Sequence, residues 1–146
     1  MSRENVEIVR AGFDAFNQGG PDAASSDGFW SPEIVWDTSP SGIPGLGVYH
    51  GYDEVKSALV DNWFAAFPFE EWEIVVEELI DHGDQVIVMT RQRGRGASSG
   101  VAAELEQAHV VTVRAGTTVR VDSYLDRTKA LEAVGLSEQD AHADSQ

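Results

Sequence analysis

The sequence contains no cysteine, few basic residues and no long apolar run. The absence of cysteine excludes disulfides, thiolate metal sites and thiol nucleophiles. No segment approaches the roughly 20 apolar residues needed to cross a bilayer, and the charged start of the chain lacks the apolar core of a signal peptide. These features predict a cytoplasmic protein that does not enter a membrane.

The shortage of basic residues leaves the chain strongly acidic. The chain contains ten lysines and arginines and 25 acidic residues, which gives a formal charge of -15. This charge disfavours nucleic acid and anionic lipid surfaces as partners, because both are negatively charged. The alternating Arg91, Arg93 and Arg95 are therefore interpreted as the exposed face of a strand, paired with glutamates on a neighbouring strand.

Apolar spacing predicts helices in the first half of the chain. Val6, Val9, Phe13 and Phe16 form one stripe, which predicts a helix over residues 4–18 that ends at the Gly-Gly-Pro sequence of residues 19–21. A short helix is predicted over 21–30 and a longer one over 53–67, before Pro68. With 146 residues, the chain has the length of one domain.

Strands dominate the second half of the chain. One strand is predicted earlier, over 33–38, followed by a loop over 39–51 that is rich in glycine and proline. Alternating apolar residues predict further strands over 72–81, 85–95, 101–114 and 118–125, and Asp126 is suited to cap a last helix that stops at Gly135. We expect an α+β domain over residues 1–136, in which a curved antiparallel sheet forms a cone against three N-terminal helices and a short C-terminal helix follows. Residues 137–146 are predicted to be a disordered acidic tail.

Six segments carry a resemblance to a known superfamily: VRAGFDAFNQG, SPEIVWDTSP, YHGYDEVKSAL, DHGDQVIV, HVVTVRAG and VDSYLDRTKALEAVGL. They resemble the nuclear transport factor two-like superfamily, which includes ketosteroid isomerase and SnoaL-like polyketide cyclases. The resemblance implies the cone-shaped fold over most of the chain. It does not select an activity, because this fold hosts isomerases, cyclases, hydrolases, dehydratases and binding proteins.

Asp37 lies where ketosteroid isomerase-like proteins place a proton-shuttling carboxylate. If Trp36 and other aromatic residues desolvate this carboxylate, its pKa is expected to rise toward neutrality. The alternative is that Asp37 caps the turn at residues 39–41. The isomerase's carbonyl-polarising tyrosine and aspartate correspond to Gly12 and Ala108 here, so steroid isomerisation is not expected.

A second candidate site lies on the strand at 101–114. His109 shares a face with Gln107 and Val111, and this face is expected to point into the cone. The resemblance to SnoaL-like cyclases implies an inward histidine and aspartate, which His109 and Asp122 match loosely. A shift of one residue in register would reverse the face, and a histidine on an apolar strand is also typical of a satisfied core residue.

These residues predict a small-molecule protein that needs no cofactor and holds no metal. The predicted catalytic residues are Asp37, His109 and Asp122. The predicted ligand-binding residues are Phe13, Phe16, Trp36, Tyr49, Trp63 and Tyr124. The function expected is an isomerase, cyclase or hydrolase that uses acid-base catalysis on a hydrophobic carbonyl or polyketide-like substrate; the alternative is a non-catalytic dimeric module of the same fold. For either, a homodimer is expected through the arginine-bearing sheet face.

Overall fold

A computed structural model describes residues 2–137 of the chain. Helix α1 (Ser2–Ser26) buries its apolar stripe and bends at Gly20, whose φ of 75° is not helical. Glycine adopts positive φ without strain, and Pro21 has no backbone N–H to continue the helical hydrogen bonding. The predicted break is therefore confirmed, but the second helical piece ends at Ser26, because Trp30 already begins a strand.

The helix predicted over 53–67 consists of three consecutive segments. These are α2 (Tyr52–Ser57), a π-helical turn (Ala58–Trp63) and α3 (Phe64–Ala66). A π-turn is wider than an α-turn, and such turns are common at functional sites. A regular helix was predicted here, because hydrophobic spacing alone does not distinguish a local widening of the turn.

The sheet has six strands in the described region. They are β1 (Trp30–Asp37), β2 (Val48–His50), β3 (Glu73–His82), β4 (Gln85–Arg95), β5 (Ala102–Arg114) and β6 (Thr117–Tyr124). Their order is β2-β1-β6-β5-β4-β3, with β1 and β6 parallel and the other neighbours antiparallel. The sheet is curved and unclosed. Strand β2 was missed, since it lies within the segment predicted as loop.

Different helices pack on the two faces of the sheet. The inner face is defined here as the one that packs on α1, where Val88 and Val111 meet Val6 and Val9. The outer face is the opposite one, and part of it packs against Leu131 of helix α4 (Arg127–Ala133). Successive residues of a strand point to opposite faces, so the register decides which side chains share a face.

The observed architecture confirms the predicted α+β cone with its C-terminal helix. Asp126 caps α4 as predicted, because its carboxylate accepts hydrogen bonds from the backbone N–H groups of Thr128 and Lys129. Within residues 2–137, no helix is long and apolar enough to span a bilayer. The predicted tail lies outside the described residues except for Ser137.

Candidate functional site

A cavity of about 130 Å³ lies between α1, the 52–66 helical segment and the inner face of the sheet. Its walls are mainly aromatic and aliphatic. Phe13, Phe16, Trp36 and Trp63, four of the six predicted ligand-binding residues, line it, and so does His109. The apolar spacing of α1 and β1 places these rings inward, because each element buries its apolar face against the other.

The segment between β1 and β2 closes one side of this cavity. Thr38, Ser41, Ile43 and Leu46 all line it. The segment is held in place by its own hydrogen bonds, since Thr38 Oγ1 donates to the Gly47 carbonyl at 2.6 Å and Ser41 Oγ donates to the Thr38 carbonyl at 2.6 Å. The glycine-rich loop predicted over 39–51 therefore contributes directly to the pocket.

Two hydrogen-bonded sets of polar groups line the sheet side of the cavity, and the first set contains His109. Trp36 Nε1 donates to Ser123 Oγ at 2.9 Å, and Ser123 Oγ lies 2.8 Å from His109 Nδ1. His109 Nε2 lies 3.4 Å from Thr90 Oγ1. Antiparallel pairing places His109 directly opposite Ser123, which is why the two side chains meet.

His109 contacts a hydroxyl at each ring nitrogen. Ser123 Oγ accepts the indole N–H and can donate its own proton to His109 Nδ1; in that arrangement the imidazole proton lies on Nε2, toward Thr90 Oγ1. Burial lowers the pKa of His109 to about 4, because the charged imidazolium loses its hydration. The ring is therefore neutral at physiological pH and holds a basic nitrogen next to a hydroxyl.

A second polar set links Trp72, which directly precedes β3, to Gln92 on β4 and Gln107 on β5. Trp72 Nε1 donates to Gln92 Oε1 at 2.9 Å, and Gln92 Nε2 donates to Gln107 Oε1. All three residues are buried, and all three line the cavity. The cavity wall thus carries two neutral networks, each of which begins at an indole N–H.

Asp37 lies on the outer side of β1 and does not line the cavity. Its carboxylate accepts hydrogen bonds from the backbone N–H of Ser39 at 2.9 Å and from the Ser39 hydroxyl, and it pairs with Arg120 at 3.2 Å. The Ser39 hydroxyl, together with the Ser39 backbone N–H and Arg120, lowers the pKa of Asp37. The expected rise in pKa is wrong, because Trp36 points inward whereas Asp37 points outward. The turn-cap alternative describes the observed contacts.

Asp122 is also separated from His109. In the observed register Ser123 lies opposite His109, and Asp122 lies opposite Val110. Asp122 therefore faces outward, where it pairs with Arg120 at 3.0 Å. The structure thus does not form the inward histidine and aspartate pair expected from the resemblance.

The two predicted tyrosines also lie outside the cavity lining. Tyr124 shares the outward face of Asp122 and packs against the cluster beneath α4. Tyr49 packs behind Trp36 with ring centroids 5.7 Å apart, and its hydroxyl accepts a hydrogen bond from Gly47 N. Tyr49 therefore supports the loop that closes the cavity. Gly12 lines the cavity, but Ala108 belongs to the outer face.

Sequence reasoning did not assign several polar lining residues to the site, among them Gln92, Gln107 and Ser123. Their signal was present in the alternation, because outward Arg91 and Arg93 require Gln92 to point inward. Gln107 was already placed on the face of His109. Ser123 could be identified only from the strand register. Its neighbours Asp122 and Tyr124 were assigned to the site, but they point outward.

Within the described residues, no group of three or more histidine or acidic side chains is arranged to hold a metal ion. His109 is the single titratable residue among the described side chains that line the cavity. The chemistry available there consists of hydrogen bonding by neutral groups and proton exchange at one imidazole.

Comparison with known families identifies the class of protein that this fold and cavity define. The family described as the SnoaL-like domain matches residues 9–121. This match covers most of the 146 residues, so the chain belongs to the SnoaL-like domain family. No curated protein matched the chain.

Solved structures share the same fold at low identity. TerC, crystallised with polyporic acid, is 22% identical with a TM-score of 0.71, covering 90% of this chain and 98% of TerC. A protein named as a SnoaL-like polyketide cyclase from Jannaschia sp. CCS1 is 21% identical with a TM-score of 0.68, covering 90% and 92%. A protein with a ketosteroid isomerase-like fold from Catenulispora acidiphila DSM 44928, in complex with trimethylamine, is 15% identical with a TM-score of 0.66, covering 89% and 93%. At these identities the likeness shows the fold.

Proposed function

We propose that this chain binds one small, uncharged and mainly apolar molecule in the cavity beneath the 38–47 loop. The observation that carries the proposal is a largely aromatic cavity whose few described polar groups are all neutral at physiological pH. Ligand pockets typically combine an apolar lining with a few placed polar groups. The solved relatives crystallised with polyporic acid and with trimethylamine support small organic ligands in this fold.

The size of the cavity restricts the ligand class. A volume of about 130 Å³ is close to that of engineered protein cavities of about 150 Å³ that bind benzene. A ligand with one ring and a short substituent fits this space. A fused multi-ring polyketide or a steroid would require Trp63 or the 38–47 loop to move.

Binding is tested with α-methylstyrene, a one-ring apolar probe, by ligand-observed NMR or calorimetry. Leu59 lines the cavity, so in Leu59→Trp the larger ring fills cavity space, and we expect the affinity to fall at least about tenfold. Val60→Trp is the matched control, because Val60 is the next residue and is 45% exposed. Circular dichroism establishes that both variants fold. Equal binding by both folded variants, or no binding by the parent protein, would contradict the proposal.

A second candidate function is proton transfer next to a ligand carbonyl, as an isomerase, cyclase or hydrolase that needs no cofactor. The observation that favours it is the distance of 2.8 Å between Ser123 Oγ and His109 Nδ1. Ser123 lines the cavity, so its hydroxyl can receive a proton from the ligand while it passes its own proton to His109. A base with a pKa near that of a carboxylate is sufficient for this chemistry when a hydrogen-bond donor stabilises the oxyanion. We place the base at His109, since Asp37 and Asp122 face away from the cavity.

Deuterium exchange tests this second function. Acetophenone in D₂O loses its methyl protons when a base removes them, and NMR follows the loss of signal. We expect exchange above the buffer rate, and we expect His109→Gln to reduce it by at least about a hundredfold. His50→Gln is the control, because His50 is exposed on β2. If the parent protein only matches the buffer rate, the cavity is a binding site without this catalysis.

A further inference from the structure

The Trp72, Gln92 and Gln107 network fixes the direction of hydrogen bonding in the cavity. An indole Nε1 can only donate, so the Gln92 atom at 2.9 Å from Trp72 Nε1 must be the amide oxygen. The amide nitrogen of Gln92 then faces Gln107, whose nearest amide atom must be its oxygen in order to accept. Trp72 therefore determines the orientation of the Gln92 amide, and through it the orientation of the Gln107 amide.

This orientation leaves the amide nitrogen of Gln107 free to serve a ligand. Within residues 2–137, no protein atom accepts a hydrogen bond from Gln107 Nε2. The side chain is only 6% exposed, and it lines the cavity. A buried donor without a partner destabilises the protein, and a bound acceptor removes that penalty. The amide nitrogen of Gln107 is not fully enclosed by protein atoms, which leaves room for an acceptor beside it.

We propose that Gln107 is the specificity-determining donor of this site, and that Trp72 orients it through Gln92 to select ligands with a hydrogen-bond acceptor such as a ketone carbonyl. This inference rests on the proposed ligand binding. Trp72 acts as a positioning residue, because its N–H acts through Gln92. The preferred ligand is therefore a one-ring ketone, and a ligand that offers only a donor is disfavoured.

The test compares three probes with equal numbers of heavy atoms. Acetophenone offers only an acceptor, α-methylstyrene has the same shape without a polar group, and indole offers only a donor. In the parent protein we expect acetophenone to bind about five- to tenfold more tightly than α-methylstyrene, from one hydrogen bond to a buried donor. Indole is expected to bind more weakly than α-methylstyrene, because its N–H meets the N–H of Gln107.

Trp72→Phe gives the decisive readout. Without the indole N–H, the two amides can rotate together and present either the oxygen or the nitrogen of Gln107. We expect the affinity ratio of acetophenone to indole to fall toward one, with indole gaining affinity in absolute terms. A merely structural role of Trp72 would weaken all three probes alike. Phe67→Leu is the matched control, because the Phe67 ring packs against Trp72 with centroids 5.1 Å apart but does not line the cavity; it should keep the ratio.

The outcomes separate this inference from the proposed function. If acetophenone and α-methylstyrene bind the parent protein equally, the cavity binds ligands but Gln107 does not select them. If Trp72→Phe keeps the full acetophenone preference, the orienting role of Trp72 is wrong. If neither acetophenone nor α-methylstyrene binds the parent protein, the proposed function fails and the inference fails with it.

Discussion

His109 is a buried histidine whose charge state links the cavity to the stability of the protein. Its pKa is about 4 in the folded protein, against about 6.5 in the unfolded chain. The unfolded chain therefore binds more protons between these two values, so the free energy of unfolding falls as the pH decreases through this window. Above pH of about 7 this effect is absent, because the histidine is neutral in both states.

We predict that His109 alone makes the free energy of unfolding about 2 kcal/mol smaller at pH of about 5 than at pH of about 7. Urea unfolding at both pH values measures the difference. His109→Gln should remove this part of the pH dependence, and His50→Gln should keep it. Carboxylates also titrate near this range, but they contribute equally to the parent protein and to both variants. An unchanged pH dependence in His109→Gln would show that burial does not perturb this imidazole.

Asp37 allows a test of the turn-cap alternative against the predicted base. We predict that Asp37→Asn lowers the free energy of unfolding by about 1 kcal/mol, because hydrogen bonds to Ser39 and the pairing with Arg120 weaken. Any acetophenone exchange should stay within about twofold of the parent rate. Ser39→Ala is the matched control, since it removes the hydroxyl partner of the same carboxylate and cannot remove a base. Loss of exchange in Asp37→Asn alone would return the catalytic role to Asp37.

Alternation along strands and apolar spacing along helices predict whether a side chain points into the cavity or away from it. The site residues that depend only on these patterns could be predicted. The inward rings of Phe13, Phe16 and Trp36 and the inward His109 follow from these patterns. Asp122 does not, because one step of register exchanges it with Ser123, and the pairing of β5 with β6 is not encoded in either strand alone. The glutamine network could not be recognised as a sequence motif either. The hydrogen-bonding orientation of a neutral amide depends on the groups around it in the fold.

At the scale of elements, Gly94 shows how β4 accommodates Trp72. A Cβ atom added at Gly94 would lie 2.4 Å from Trp72 Cε3 and 2.9 Å from the Glu71 carbonyl oxygen. The strand can therefore approach the indole only where it lacks a side chain. The sequence showed Gly94 only as part of the arginine and glycine alternation, because the close approach comes from the turn that precedes β3.

We predict that Gly94→Ala lowers the free energy of unfolding by about 1–3 kcal/mol, through displacement of Trp72. Chemical denaturation measures the loss, and near-UV circular dichroism reports the tryptophan environment. Gly47→Ala is the matched control, because no atom lies within 4 Å of the corresponding Cβ position. If both alanine variants have the stability of the parent protein, the packing of Trp72 on β4 is not tight.

Most helices and strands followed from sequence periodicity, and the misses have a common physical origin. Strand β2 forms by pairing with β1 over three residues, so its hydrogen bonds rather than its own composition define it. The π-turn at Ala58–Trp63 likewise depends on the packing of the segment, since its apolar spacing is compatible with an ordinary helix. The π-turn contributes Leu59 and Trp63 to the cavity wall, whereas β2 lies outside the lining; at both places tertiary contacts override local preference.

The charge of the whole molecule bears on its association with a second copy. The outer face of β3, β4 and β5 carries Arg91, which pairs with Glu77, Glu104 and Glu106, and Arg93, which pairs with Glu73. The predicted pairing with glutamates is thus observed within one chain for Arg91 and Arg93, while Arg95 donates instead to the Gly100 carbonyl. These ion pairs neutralise much of the face locally, while the chain as a whole carries a formal charge of -15.

We predict a homodimer through this outer face, as the resemblance implies, with association that strengthens as salt screens the overall repulsion. Sedimentation velocity should show more dimer at about 0.5 M salt than at about 0.05 M, where the screening length is longer. Arg91→Ala leaves three glutamates without their shared partner and should weaken the dimer. Arg114→Ala removes the same charge from an exposed position at the end of β5 and should change association far less. A monomeric mass at both salt concentrations would overturn the prediction and leave this face as a solvated layer of ion pairs.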